Sequence, residues 1–189
     1  MENKSHLTAI KRNRLSKPWA LALAYLPNEC PRAQVMVLDY GCGRGDDRER
    51  LTQMGYDAYG YDPHYTVNEH SIHDRIYDIV SLVYVLNVIQ NPQERLETLQ
   101  KGWSLVRPGG HLLVAVRHAK EVVSASGKKE PPWERLDESG WCYRTSRGTY
   151  QKFFNNHEIE YLMDNATDHL GEGHFSRLKP GIYIIKKED

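Results

Sequence analysis

The stretch that most constrains this chain is Val35-Met-Val-Leu-Asp-Tyr-Gly-Cys-Gly-Arg-Gly-Asp46. A short apolar run ends in Asp39, and glycines follow at 41, 43 and 45. A charged helical pattern then begins at Asp46 and Asp47. Strand, glycine loop and helix in that order place backbone N–H groups and a helix N-terminus beside a crevice. The glycines permit a sharp turn and close approach of a ligand. The stretch therefore predicts a nucleotide-like ligand, and the remainder of the chain must say which.

Around this stretch, elements alternate. Ser16 before Lys17-Pro18-Trp19 marks a helix start with proline in the first turn, and Pro27 ends the run. That helix either covers a sheet edge or forms a lid with Arg14 and Ser16 facing the ligand. Asp46–Met54 fits a helix with Leu51 and Met54 inward, ended by Gly55. Asp57–Asp62 reads as a second strand closed by Pro63. Ile76–Val88 carries the strongest strand signal, and Asn91-Pro92-Gln93-Glu94 is a capping-box start for a helix bearing Leu96, Leu99 and Trp103. Val106–Gly110 reads as a turn and His111–Val116 as a buried strand. Residues 117–150 read as one long polar loop, a candidate substrate lid. Asn155 or Asn156 caps a helix through Met163, and a hairpin around Lys179-Pro180-Gly181 closes the chain.

Alternation of this kind predicts one α/β domain over residues 1–189, a Rossmann-like, mostly parallel central sheet with helices on both faces and a C-terminal antiparallel hairpin. Residues 1–30 supply a basic segment and a helix.

Charge is balanced, with 25 basic and 25 acidic residues, which removes a general nucleic-acid coat from the candidates but not local contact. Cys30, Cys42 and Cys142 are too scattered for a disulfide framework or a zinc site, and His64, His70 and His73 follow no ligand spacing, so no metal is expected. No apolar run spans a membrane, and no apolar signal core precedes Arg14. A soluble, cytoplasmic protein with no membrane partner is the expectation.

The glycine spacing separates two ligands. A dinucleotide site wants G-x-G-x-x-G with an acid about 20 residues on. Here Asp39-x-Gly41-x-Gly43-x-Gly45 resembles motif one of class I S-adenosylmethionine-dependent methyltransferases. Leu105-Val-Arg-Pro-Gly-Gly-His-Leu-Leu-Val114 resembles the turn and fifth strand of those enzymes, and the terminal hairpin their last two strands. The resemblance spans about residues 35–187. It implies S-adenosylmethionine as cofactor. Asp39, Tyr40, Gly41, Cys42 and Gly43 would hold its amino-acid end, and Asp62, followed by Pro63, its ribose. Tyr84 would line the adenine or acceptor pocket.

Only thirteen residues separate Asp62 from Ile76, too few for the helix and third strand usual in that family. The adenine contact therefore falls to His73, Asp74 or Asp78 without a choice among them. Thr8–Pro18, Asp39–Asp47, Tyr84–Ile89 and Arg147–Phe154 together resemble the methyltransferases associated with bacterial DNA phosphorothioation gene clusters.

The candidate catalytic residues are Asn87, whose amide is able to orient an amine or hydroxyl acceptor, and Arg147 and Lys152, which suit a phosphate or carboxylate. Beside Arg147 and Lys152 stand Gln151 and the aromatic residues Tyr143, Tyr150 and Phe153. The acceptor is a nucleic acid or nucleotide in preference to a small metabolite. No Asp/Asn-Pro-Pro-Tyr/Phe and no Pro-Cys follows Asn87, so the usual signatures of DNA amine and cytosine carbon methylation are missing. The competing reading is a catalytically silent partner subunit that binds S-adenosylmethionine or recognises DNA.

Overall fold

The computed structural model describes residues 5–9, 11–26, 31–65, 70–126, 133–138, 141–167 and 173–189. In chain order the elements are α1 (Lys17–Tyr25), β1 (Met36–Tyr40), α2 (Asp46–Gln53), β2 (Asp57–Tyr61), β3 (Tyr77–Val83), α3 (Pro92–Ser104), β4 (Val106–Ala115), α4 (Ala119–Ser126), β5 (Glu134–Arg135), β6 (Cys142–Arg144), β7 (Tyr150–Lys152), α5 (Asn156–Thr167), β8 (Gly173–Lys179) and β9 (Ile182–Lys187). The main sheet runs β2-β1-β3-β4-β9-β8. Its first four strands are parallel, and β9 lies antiparallel to both β4 and β8.

Alternating side chains on the strands feed two apolar layers, as a two-residue period requires. Leu38, Val80, Leu112 and Tyr183 join Leu99, Trp103 and Met163 of α3 and α5 on one face. Val37, Ile79, Leu113 and Ile184 join Trp19, Ala22 and Leu51 of α1 and α2 on the other. The helix after Ser16 thus covers a sheet face, not an edge. Asp46, Asp47 and Glu49 occupy the first turn of α2, where acids complement the helix dipole.

Several expectations need correction. Met54 is exposed rather than inward. The strand from residue 76 stops at Val83, where the backbone turns at Tyr84 (φ +61°). Val106–Gly110 belongs to β4, although its register with β3 shifts there. The segment read as one loop from 117 to 150 contains α4 and the small antiparallel sheet β5-β6-β7. Among the described residues no strand lies between β2 and β3, so β2 is an edge. Pro27, Cys30, Lys128 and Lys129 lie outside the described residues.

Two caps follow the sequence, whereas Ser16 precedes α1 with no side-chain cap hydrogen bond. Asn91 Oδ1 accepts the Gln93 N–H at 2.8 Å. Asn155 and Glu158 form a reciprocal box: each side chain accepts the other's backbone N–H at 2.9 Å. Replacing Asn155 with alanine is expected to cost about 1 kcal/mol in a denaturant titration, since it orphans the Glu158 N–H. A loss below about 0.3 kcal/mol would mean that the rest of the box suffices.

Candidate functional site

β1 delivers the glycine loop to the C-terminal edge of the sheet, where β2 receives it. The N–H groups of Gly41 and Cys42 both donate to the Tyr61 carbonyl, at 2.6 and 3.0 Å. The Gly43 N–H donates to Asp62 Oδ2 at 3.0 Å, and the His64 N–H to Asp62 Oδ1 at 2.9 Å. The loop is therefore stitched to the end of β2. Gly41 has φ +85°, and a Cβ there would stand 2.3 Å from Val85 Cγ2, so both backbone and space demand glycine.

This loop is poorly made for a phosphate. Three of its N–H groups are spent on β2, and Asp39, Asp46, Asp47 and Asp62 surround it. A cleft of about 240 Å³ opens beside it. Its wall carries acids (Asp46, Asp62, Glu94) and guanidinium groups (Arg12, Arg44) together. A mixed wall suits a ligand with charges of both signs.

Tyr40, Gly41, Cys42, Gly43, Asp62, Pro63 and Tyr84, the expected cofactor residues, all line the cleft. Asp39 sits elsewhere: it is buried beneath the loop and accepts the Ser81 hydroxyl at 2.6 Å. Burial pushes its carboxyl up to about 6, with Asp47 adding to the rise and the Ser81 hydrogen bond opposing it. The Cys42 thiol is also pushed up by burial and is inert packing, touching the space beside Gly60.

Tyr84 is the described non-glycine residue with a positive φ. Its N–H makes the last rung to the Ala115 carbonyl at 2.7 Å, and its ring then turns into the cleft wall. Such strain costs about 1–3 kcal/mol and is typical of functional sites. Tyr40, Tyr61 and His73 form an aromatic group at the β2 end, with the Tyr61 ring 4.8 Å from each of the others. Of the three adenine candidates, His73 is in this group and Asp74 is exposed. Asp78 is turned to the Met36 N–H and to Arg107.

Asn87, Arg147 and Lys152 are not among the residues lining the cleft. Asn87 is buried and donates to Gln151 Oε1 at 3.0 Å, while its carbonyl accepts the Lys152 N–H. It fastens the small sheet to the turn after β3. Lys152 pairs with Glu158 at 3.0 Å at the start of α5. Arg147 is exposed in the turn between β6 and β7.

The cleft also holds residues that the sequence did not single out. Thr8, Ala9 and Arg12 reach it from the N-terminal segment, and Glu94 and Thr98 from α3. The Arg12 N–H donates to Asp46 and the Ser16 N–H to Asp47, both at 2.7 Å, so Arg12 and Ser16 strap the segment before α1 to the start of α2, beside the glycine loop. Arg12, not Arg14, is the arginine that faces inward. The available signal was the basic N-terminus together with the acid pair opening α2. Nothing in the sequence pairs the two.

Comparison with known proteins agrees with this fold. The family model described as a methyltransferase domain matches residues 11–166. Among solved structures, the chain resembles a Burkholderia thailandensis 1,6-didemethyltoxoflavin-N1-methyltransferase with bound 1,6-didemethyltoxoflavin and S-adenosylhomocysteine. The identity is 17%, the TM-score 0.56, and 91% of this chain and 76% of that one are covered. An S-adenosylmethionine-dependent methyltransferase from Clostridium acetobutylicum is 10% identical, with TM-score 0.57 and 94% of both chains covered. A sugar N-methyltransferase from Streptoalloteichus is 12% identical, with TM-score 0.53 and coverage of 96% and 97%. No curated protein matches the sequence at a significant level.

Proposed function

The chain belongs to the methyltransferase-domain family, and from that premise we propose that it moves a methyl group from S-adenosylmethionine to a nucleotide or nucleic acid held beyond the end of β3. When bound, the cofactor supplies a methyl group on a sulfonium, which needs no further activation. The chain's task is then to position and desolvate. Asp62 accepts from the ribose hydroxyls while holding the Gly43 N–H. Gly41 gives the ligand its close approach, and the Tyr40–Tyr61–His73 group walls the β2 side. Tyr84 stands where the acceptor enters. Asn87 and Lys152 position the small sheet behind it, and Arg147 offers an exposed cation on that sheet's turn for a phosphate. With no strand between β2 and β3 among the described residues, adenine falls to these rings and to Glu94 on α3.

The observation that supports a polyanionic acceptor is the pair of arginines, Arg12 and Arg44, that line the cleft. Lys11, Arg14 and Lys17, close to Arg12 in sequence, and Arg48, close to Arg44, are all exposed. In a chain of zero net charge, cations in these two segments suit phosphates. DNA is the first polymer to test, given the resemblance to phosphorothioation-associated methyltransferases, and a cytoplasmic location goes with it. Among the described residues no helix is long and apolar enough to cross a membrane. A small-molecule acceptor is the second reading, favoured by the toxoflavin and sugar enzymes that share the fold.

Transfer from methyl-labelled S-adenosylmethionine separates the readings. Label is expected in DNA, RNA or nucleotides. Label confined to other metabolites would overturn the acceptor assignment, and cofactor binding with no transfer to any fraction would leave a binding subunit. Asp62→Ala is expected to weaken S-adenosylhomocysteine by about 1–3 kcal/mol in calorimetry, because a charged acceptor is lost. An unchanged affinity would remove Asp62 from the ribose.

A further inference from the structure

We propose that Arg12, carried in by the N-terminal strap, is the residue that binds the cofactor's carboxylate; this rests on S-adenosylmethionine being the ligand of the cleft. Asp47 is almost wholly buried and its Oδ1 is committed to the Ser16 N–H at 2.7 Å. Its Oδ2 lies 3.7 Å from Arg12 Nη1, an ion pair but not a hydrogen bond. Among the described residues the Arg12 guanidinium has no partner within hydrogen-bond distance, although its backbone N–H is fixed to Asp46. The head group is therefore anchored at its root, drawn to one place by Asp47, and left with its donor fork open.

Arg12 lines the cleft. It stands near enough to Asp39, at the end of β1, and to Tyr84, after β3, to favour the ionised form of both groups. The strand order β2-β1-β3 puts Tyr84 across β1 from Asp62, on the side where the amino-acid part of the ligand must lie once Asp62 takes the ribose. A planar guanidinium matches a carboxylate in two parallel hydrogen bonds, and lysine does not. Arg44, the other guanidinium of the wall, is exposed on the loop. The strap's contact with the loop, where Ala9 Cβ stands 3.1 Å from the position of a Cβ on Gly43, sets the depth of Arg12.

The test is calorimetry on the full chain with two ligands. One is S-adenosylhomocysteine. The other is its decarboxylated analogue, in which a 3-aminopropyl group replaces the amino-acid chain. Arg12→Ala is expected to weaken S-adenosylhomocysteine about ten- to a hundredfold, the loss of a charged hydrogen-bonded pair, and to leave the analogue within about twofold. Arg12→Lys is expected to fall between. Equal losses for both ligands would show that Arg12 only staples the strap and would overturn the proposal, as would unchanged binding of both. Failure of the unmodified protein to bind S-adenosylhomocysteine would overturn the cofactor reading, and this proposal with it. Matching circular dichroism and melting curves confirm that each variant is folded, and Arg12→Lys keeps the ion pair should the alanine variant melt early.

Discussion

Gly41→Ala is expected to cost about 2–5 kcal/mol of stability and to abolish measurable binding of S-adenosylhomocysteine. Two separate penalties add. The backbone there has φ +85°, a region that costs a residue with a Cβ about 1–2 kcal/mol. The new methyl would also stand 2.3 Å from Val85 Cγ2. Overpacking of that kind costs about 1–3 kcal/mol when neighbours have to move. Val85 and Gly41 both line the cleft, so the movement deforms the ligand's own wall. The loop cannot yield in the other direction, because the Gly41 N–H is held by the Tyr61 carbonyl at 2.6 Å.

A double-mutant cycle divides the penalty. Val85→Ala removes both γ carbons and leaves a Cβ at 3.4 Å from the new methyl, which is ordinary contact. The pair Gly41→Ala/Val85→Ala is expected to recover about 1–2 kcal/mol relative to the sum of the single changes. The share due to φ remains. Strict additivity in urea titrations would show that the clash is absorbed elsewhere and that the backbone alone demands glycine.

This site shows why some parts of the protein were legible in its sequence and others were not. Strands β1, β3 and β9 announce themselves because most of their side chains are buried on both faces, while the half-buried edge strand β2 is marked by the Asp62-Pro63 stop that follows it. The caps at Asn91 and Asn155 are local chemistry, set by three or four residues. Val83-Tyr-Val-Leu-Asn-Val-Ile89 misleads for a physical reason: past Val83 its apolar residues belong to a turn, Leu86 facing the core and Val85, Val88 and Ile89 lining the cleft. β4 ends at Ala115, so Tyr84 finds one last rung there, and the Val88 N–H bonds back to Val85 at 3.1 Å. Residues 117–150 show no period because strands of two or three residues are too short to have one. They are placed from outside, by the Lys152 N–H on Asn87 and the Phe154 N–H on Arg117.

The cleft residues of the loop were legible because the loop is contiguous and its glycines have a spacing. The strap was not, because Arg12 and Asp46 lie 34 positions apart and meet through a backbone N–H, which any residue at position 12 other than proline supplies. The same limit applies to Asn87, Arg147 and Lys152. Their residue types suit an acceptor site, yet type says nothing of direction. The fold spends the Asn87 amide and the Lys152 ammonium on Gln151 and Glu158.

Asp39 brings stability and ligand chemistry into opposition. Its carboxyl, at 3.8 in a solvated chain, is pushed to about 6 by burial under the loop. A raised folded value means that the native state binds the extra proton, so the favourable contribution is full below pH 3.8. It is lost as pH rises through about 6. The difference corresponds to about 3 kcal/mol set against the folded state at neutral pH. Asp39→Asn removes the buried charge, and its amide oxygen still accepts the Ser81 hydroxyl. The variant is expected to be more stable than the unmodified protein by about 1–3 kcal/mol at pH 7.5. The two should converge below about pH 4, where Asp39 is neutral in both states. The same change is expected to weaken S-adenosylmethionine, because a buried negative charge next to the loop favours a ligand carrying ammonium and sulfonium groups. Stability gained and affinity lost in one substitution is the behaviour of a residue kept for its ligand. A variant less stable at pH 7.5 would show that Ser81 and its neighbours hold the carboxylate better than burial penalises it, and Asp39 would then be part of the scaffold alone.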